Sequence, residues 1–210
     1  MCILSIDFLS VQHGVALEVS SGDIIQKHGE RNSEEKPRIE NQIIELVQSI
    51  LSEADINQST ITDVLVTAGP GSFTGARIGI AAVQGFFQGS TIRAHAINTL
   101  DGMISYGKKI NGNHQRLITA AVQTRKPEWI VDVGTGVQSY GSDEWKSFDR
   151  NSSLFLHGDI PEGLDEDLIY RCDDGLAECL IEVFREDKKE NNPCEINELQ
   201  PLYYGNLYTS

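Results

Sequence analysis

Apolar residues open the chain in two short runs, Cys2 to Asp7 and Val15 to Val19, connected through Phe8 to Gln12 and followed by a third at Ile24 to Lys27. Runs of this length between polar residues predict three strands in a meander. Glu30 to Arg38 is polar and charged. Beyond it Ile39, Ile43, Ile44, Leu46, Val47, Ile50 and Leu51 recur at the 3.6-residue period of a helix. Val64-Leu65-Val66-Thr67-Ala68 has the length and β-branching of a buried parallel strand. A second helix is predicted over roughly Gly75 to Gln88, where Ile78, Ile80, Val83, Phe86 and Phe87 make nearly every side apolar. Gly75, Gly79, Ala82 and Gly85 on the same helix permit close backbone approach.

The pattern continues with a strand at Ile92 to Ile97, an N-cap at Asn98 or Thr99, and a short helix to Tyr106. Lys108 to His114 reads as a linker between halves. Leu117 to Val122, Trp129 to Val133 and Leu154 to Leu156 are strand-like again, so the second half begins as the first did and suggests a duplication. Gly175 to Arg185 forms an amphipathic helix with Leu176, Leu180, Ile181 and Phe184 inward. Glu186 to Asn192 is a charged loop, and the tail from Leu199 to Tyr208 carries three tyrosines.

Between the fourth strand and the second helix lies Gly69-Pro70-Gly71-Ser72-Phe73-Thr74-Gly75-Ala76-Arg77-Ile78-Gly79-Ile80. A strand, a glycine-rich elbow and a helix N-terminus together present clustered backbone N–H groups, which suit an anion or a partner's side chain. Asp7, Gly71, Ser72, Phe73, Thr74, Gly75 and Arg77 are thus candidates for an anion-binding or interface loop. The P-loop pattern fails for want of a Lys-Ser or Lys-Thr pair, and the dinucleotide fingerprint fails because Thr74 stands where a third glycine belongs. A tight turn or a docking surface is the better reading. Arg77 meets the positive end of the helix dipole, and a carboxylate or phosphate in cis or from a partner would offset that; solvation is the plain alternative.

Both helices carry more apolar surface than one sheet face requires. Ile43, Leu46, Val47 and Ile50 on the first, with Ile78, Ile80, Val83 and Phe87 on the second, are therefore expected to meet a partner protein, although a helix wedged between sheet and neighbour gives the same stripe.

At 210 residues the chain suits one domain or two halves. Its net charge of −14 argues against gripping a nucleic-acid backbone directly, and most of the acidic excess lies between Asp143 and Glu198. Four cysteines without a C-x-x-C pair fit free thiols in a reducing cytosol, and five scattered histidines offer no metal set. No secretory signal or run of about 18 apolar residues is visible, which predicts a cytoplasmic protein without a membrane span. No Ser-His-Asp or Cys-His set stands out; Asp7, at the end of the first strand, is the one carboxylate well placed for transfer chemistry.

Taken in order, Ile3-Leu4-Ser5-Ile6-Asp7, the elbow from Gly69 to Ile80, Asn98-Thr99-Leu100, Val122 with Arg125 and Glu128, Gly158-Asp159 and Pro201-Leu202-Tyr203 resemble the TsaB (YeaZ) family, bacterial scaffold proteins of tRNA threonylcarbamoyladenosine synthesis. The elbow is the most specific of the six. Phe8-Leu9-Ser10 replaces the family's usual Thr-Ser-Thr, Gln123 stands where an aspartate is common, and Ile39 falls where a histidine often begins the helix. The resemblance implies an α/β, actin-like, sugar-kinase-like and heat-shock-ATPase-like fold of two ribonuclease-H-like halves, 1–107 and 115–210, the second shorter and degenerate. It also implies a non-catalytic subunit without cofactor or metal. That subunit would bind and activate a TsaD-like catalytic subunit through its first two helices in a four-helix bundle, with a TsaE-like ATPase joining the pair. The same helices could pair in a homodimer. The alternatives are an ATP-dependent acyl or phosphoryl transferase of the same fold and, further off, a peptidase.

Overall fold

The computed structural model describes residues 1–29, 38–111, 116–172, 175–186 and 193–204. Strand β1 (Ile3–Asp7) is buried along its whole length, because it lies inside a sheet covered on both faces. It pairs antiparallel with β2 (Gly14–Glu18) and parallel with β4 (Asp63–Gly69). On one side β3 (Ile24–His28) closes the meander; on the other β5 (Arg93–Asn98) lies parallel to β4, and the two-residue β11 (Cys194–Glu195) returns from the far end of the sequence to pair with β5.

The second sheet repeats this plan. Strands β6 (Ile118–Arg125), β7 (Glu128–Asp132) and β8 (Val137–Tyr140) form an antiparallel meander, and β9 (Ser153–His157) and β10 (Ile169–Arg171) add in parallel on the other side of β6. The shared order of three meander strands followed by two parallel ones is the ribonuclease-H-like arrangement twice over. The actin-like fold implied by the resemblance is the fold observed.

The period-2 alternation of the central strands sorts them into layers. Leu4, Ile6, Val64 and Val66 face helices α1 (Ile39–Glu53) and α2 (Phe73–Phe86). Ile3 and Leu65 face the opposite way, into a core shared with Leu100 and Met103 of α3 (Thr99–Asn111), Leu180 and Ile181 of α4 (Ala177–Glu186), and Ala120, Val122 and Phe155 of the second sheet. The outer face of that second sheet carries no long helix among the described residues; its Trp129, Leu154 and Leu156 pack instead with Trp145 and Phe148, in and just after a 3-10 turn at Glu144–Ser147.

The predicted linker at Lys108 to His114 is helical as far as Asn111, and residues 112–115 lie outside the described set. Its two lysines suit the negative end of α3 and reach α4, with Lys109 2.7 Å from Glu178 and Lys108 3.3 Å from Glu186. The polar stretch before α1, the charged loop after Glu186 and the tail beyond Tyr204 also fall largely outside the described residues. Three strands escape the sequence pattern: β8 is mostly exposed and so lacks alternation, while β10 and β11 span three and two residues.

Candidate functional site

The elbow forms where β4 runs into α2. Gly69 adopts φ +130°, and a Cβ there would lie 2.7 Å from the Leu202 carbonyl oxygen, so the position requires glycine. The Gly69–Pro70 peptide is cis. Ser72 is the N-cap, its Oγ accepting from the Gly75 N–H at 3.1 Å, so α2 begins at Phe73 rather than at the predicted Gly75.

The hollow beneath the elbow is filled by the chain itself. A Cβ on Gly79 would sit 2.4 Å from the Phe8 ring, and one on Gly71 3.1 Å from Leu9, so the two apolar residues that follow Asp7 occupy the concavity. The Asp7 carboxylate is fully buried and saturated. Its Oδ1 accepts from the Leu9 and Ser10 N–H groups and the Thr67 hydroxyl at 3.1, 3.3 and 3.0 Å, and its Oδ2 from the Leu176 N–H at 2.7 Å. Asp7 thereby ties the elbow side of the first sheet to the start of α4. Of the seven anion-or-interface candidates, Asp7, Gly71 and Gly75 are buried, which removes them from a ligand surface; Ser72, Phe73, Thr74 and Arg77 remain exposed.

The matching place in the second sheet follows from register, since Ile6 pairs with Val66 and Val122 with His157. Gln123 thus corresponds to Asp7. Its amide oxygen accepts from the Asp159 N–H at 3.0 Å, and Gly158, at φ +127°, leaves room for it. The hydrogen bond from Lys126, 2.6 Å away, holds the Asp159 carboxyl below its ordinary pKa. One sheet offers a carboxylate whose oxygens are occupied by protein donors, and the other an uncharged amide.

Helix α2 has four sides, and the chain covers three. The sheet lies beneath, α1 shares its core on one flank, and residues 193–204 form a strap along the other. The Gln84 Nε2 donates to the Leu199 and Asn197 carbonyls at 3.0 and 3.2 Å, and the Leu202 N–H to the Ala68 carbonyl at 2.8 Å. Six of the eight residues expected to contact a partner are therefore interior: Ile43, Val47, Ile50, Ile80, Val83 and Phe87 are each at most 4% exposed. They pack against the sheet and one another, so the surplus of apolar surface is used within the chain. Leu46 and Ile78 are half-buried and reach the surface.

Among the described residues, none covers the fourth side. Thr74, Ile78, Ala81, Ala82 and Gly85, spaced three or four apart, make an uncharged stripe of mostly small residues, and nothing lies within 4 Å of a Cβ placed on Gly85. The small-residue spacing was available in the sequence. At the N-terminal end of the stripe Phe73 is 37% and Tyr203 47% exposed, their ring centroids 5.7 Å apart. The Arg77 guanidinium lies 4.0 Å from the centre of the Phe73 ring, and its Nε donates to the Tyr203 hydroxyl at 3.2 Å. No local signal could have joined Tyr203 to Arg77 across 126 residues.

No group of three or more His, Cys, Asp or Glu able to hold a metal occurs among the described residues, and none of their helices is long and apolar enough to cross a membrane. The cysteines are free, and burial pushes the Cys179 thiol up to about 12.

The sequence profile described as "TsaD: tRNA N6-adenosine threonylcarbamoyltransferase" matches residues 36–131, a stretch holding α1, the elbow and α2. The chain is 28% identical over 122 residues to the tRNA threonylcarbamoyladenosine biosynthesis protein TsaB of Escherichia coli (strain K12), covering 58% of this chain and 46% of that protein. It is 28% identical over 94 residues to the protein of the same description in Bacillus subtilis (strain 168), covering 45% and 38%. The matched part thus spans less than half the length of these curated relatives. The structure superposes on YeaZ from Pseudomonas aeruginosa with a TM-score of 0.72 at 19% identity, over 97% of this chain and 99% of that one, a likeness of fold.

Proposed function

Because the chain belongs to the TsaB (YeaZ) family of tRNA threonylcarbamoyladenosine biosynthesis proteins, we propose that it is a non-catalytic scaffold that binds and activates a TsaD-like catalytic subunit in the cytoplasm, with a TsaE-like ATPase joining the pair. The observation that carries this reading is the open stripe of α2, Thr74, Ile78, Ala81, Ala82 and Gly85, with half-buried Leu46 on α1. Small uncharged residues at helical spacing let a second helix approach closely, and burial there stabilises by about 25 cal/mol per Å² of apolar surface. The profile match over α1 and α2 supports a partner built on the same pair of helices, so that two related helix pairs would form the bundle.

Catalysis by this chain is disfavoured by the state of its carboxylates. A transferase of this architecture needs an acid free to face phosphate or metal, whereas Asp7 has its donors supplied by the protein and Gln123 carries no charge. Direct grip on tRNA is opposed by the net charge of −14. The test is reconstitution of threonylcarbamoyl transfer to tRNA with the catalytic subunit and the ATPase, with and without this chain. Modification that depends on the chain and survives Asp7→Ala, assayed at a temperature where that variant stays folded, supports a scaffold. Micromolar ATP binding by the isolated chain, lost in Asp7→Ala while the variant remains folded, would favour the transferase instead.

A further inference from the structure

We infer that Arg77, held in place by Phe73 and Tyr203, is a charged anchor of the docking surface and receives a carboxylate of the catalytic partner. The inference rests on the scaffold reading above and specifies the chemistry of its partner. Lys27, Arg93, Lys109 and Arg185 each lie within 2.8 Å of a carboxylate of this chain, as expected where acids outnumber bases. Arg77 has no such partner among the described residues. It is the fifth residue of α2, just past the first turn, so the macrodipole gives it no stabilisation of its own.

Its position is nonetheless fixed. The Phe73 ring beneath it and the Tyr203 hydroxyl at its Nε hold the guanidinium while its two terminal nitrogens make no bond to the described residues. A planar fork oriented in advance suits bidentate capture of a carboxylate, and less side-chain entropy is lost when it binds. Arginine beside two exposed aromatics is also the composition of an interface hot spot, and the group adjoins the small-residue stripe. The occupant is accordingly a helix with small residues opposite Ala81, Ala82 and Gly85 and an Asp or Glu within reach of Arg77. Pairing α2 with α2 of a second copy would bring no acid from that helix, which has none from Phe73 to Phe86.

The experiment measures the dissociation constant between the full chain and its catalytic subunit at about 50 and 300 mM salt. Arg77→Ala is expected to weaken binding about tenfold at low salt and to flatten the salt dependence. Arg77→Lys weakens it by a smaller factor because the fork is lost, and Tyr203→Phe by less still. Combining Arg77→Glu with charge reversal of individual acids on the partner identifies the contacted residue by restored affinity. Thermal unfolding of each variant alone should match wild type, since these side chains are exposed. An Arg77→Ala constant within twofold of wild type, with an unchanged salt slope, overturns the inference and leaves the scaffold reading standing. Failure of the wild-type chain to bind the catalytic subunit overturns both. Loss of self-association alone on Arg77→Ala would assign the anchor to a second copy and so also contradict it.

Discussion

Two glycines in one helix should respond to alanine in opposite directions. Gly79 and Gly85 both lie in α2 with φ outside the left-handed region, so neither needs glycine for its backbone. In each, alanine lowers the entropy of the unfolded chain and favours the helix by about 0.5–1 kcal/mol. At Gly85 the new methyl meets nothing within 4 Å, and the gain stands, though reduced by its place in the last turn. At Gly79 the Cβ would lie 2.4 Å from two atoms of the Phe8 ring and 2.7 Å from a third, well inside contact distance. Phe8 is 1% exposed and cannot swing into solvent. Overpacking a filled core costs about 1–3 kcal/mol. Net of propensity, Gly79→Ala should destabilise by about 1–2 kcal/mol while Gly85→Ala stabilises by about 0.5 kcal/mol. Urea denaturation followed by circular dichroism reads both as shifts of midpoint at unchanged slope. At about 2–4 °C per kcal/mol, the two melting temperatures should straddle wild type. If both variants shift the same way, the ring is not packed on α2 as described. In that case the reading of Phe8 and Leu9 as the filling of the elbow fails.

Replacing Asp7 with Asn keeps the volume but points an amide donor at N–H groups that need an acceptor, so urea titration should show a loss of about 2–4 kcal/mol; a loss under 1 kcal/mol would deny Asp7 its role as a knot between the first sheet and α4. Burial alone would raise the Asp63 carboxyl, but hydrogen bonds from Arg93, His95 and Thr62 outweigh it and hold the pKa below its ordinary value. A lowered folded pKa contributes stability that is present above about pH 4 and lost as pH falls through the folded value, so Asp63→Asn should flatten the acid limb of a stability–pH profile. An unchanged limb would count against it. Leu199→Ala, which empties a buried position where the strap meets α2, should cost about 2–4 kcal/mol in the same urea assay, and a shift within 0.5 kcal/mol would show that the strap is not packed.

Much of this architecture is written in local periodicity. The meander, α1, β4 and α4 follow from apolar runs and stripes because each buries one regular face, and capping chemistry at Asn98 marks the start of α3, where its side chain accepts from the Leu100 N–H at 2.8 Å. The site was legible only in part. The glycine spacing locates the elbow, yet the same pattern of large aliphatics on α1 and α2 fits an exterior patch or an interior one, and the structure assigns most of it to the interior. The deciding element is the strap, whose Leu199 and Tyr203 return to α2, and Leu202 to the end of β4, from more than a hundred residues away and so leave no local trace. For the same reason the saturation of Asp7 is invisible beforehand, since one of its donors, Leu176, comes from 169 residues on.

The most direct test places a charge on the open side of α2 without touching the core, by titrating the catalytic subunit with Ala81→Glu and with wild type. Ala81 is exposed, so the variant should unfold at the wild-type temperature. The scaffold account predicts that its affinity for the catalytic subunit falls at least tenfold, with tRNA modification falling in step. Unchanged affinity in a folded Ala81→Glu variant would mean that the partner docks elsewhere, and the account of α2 as the docking helix would be wrong.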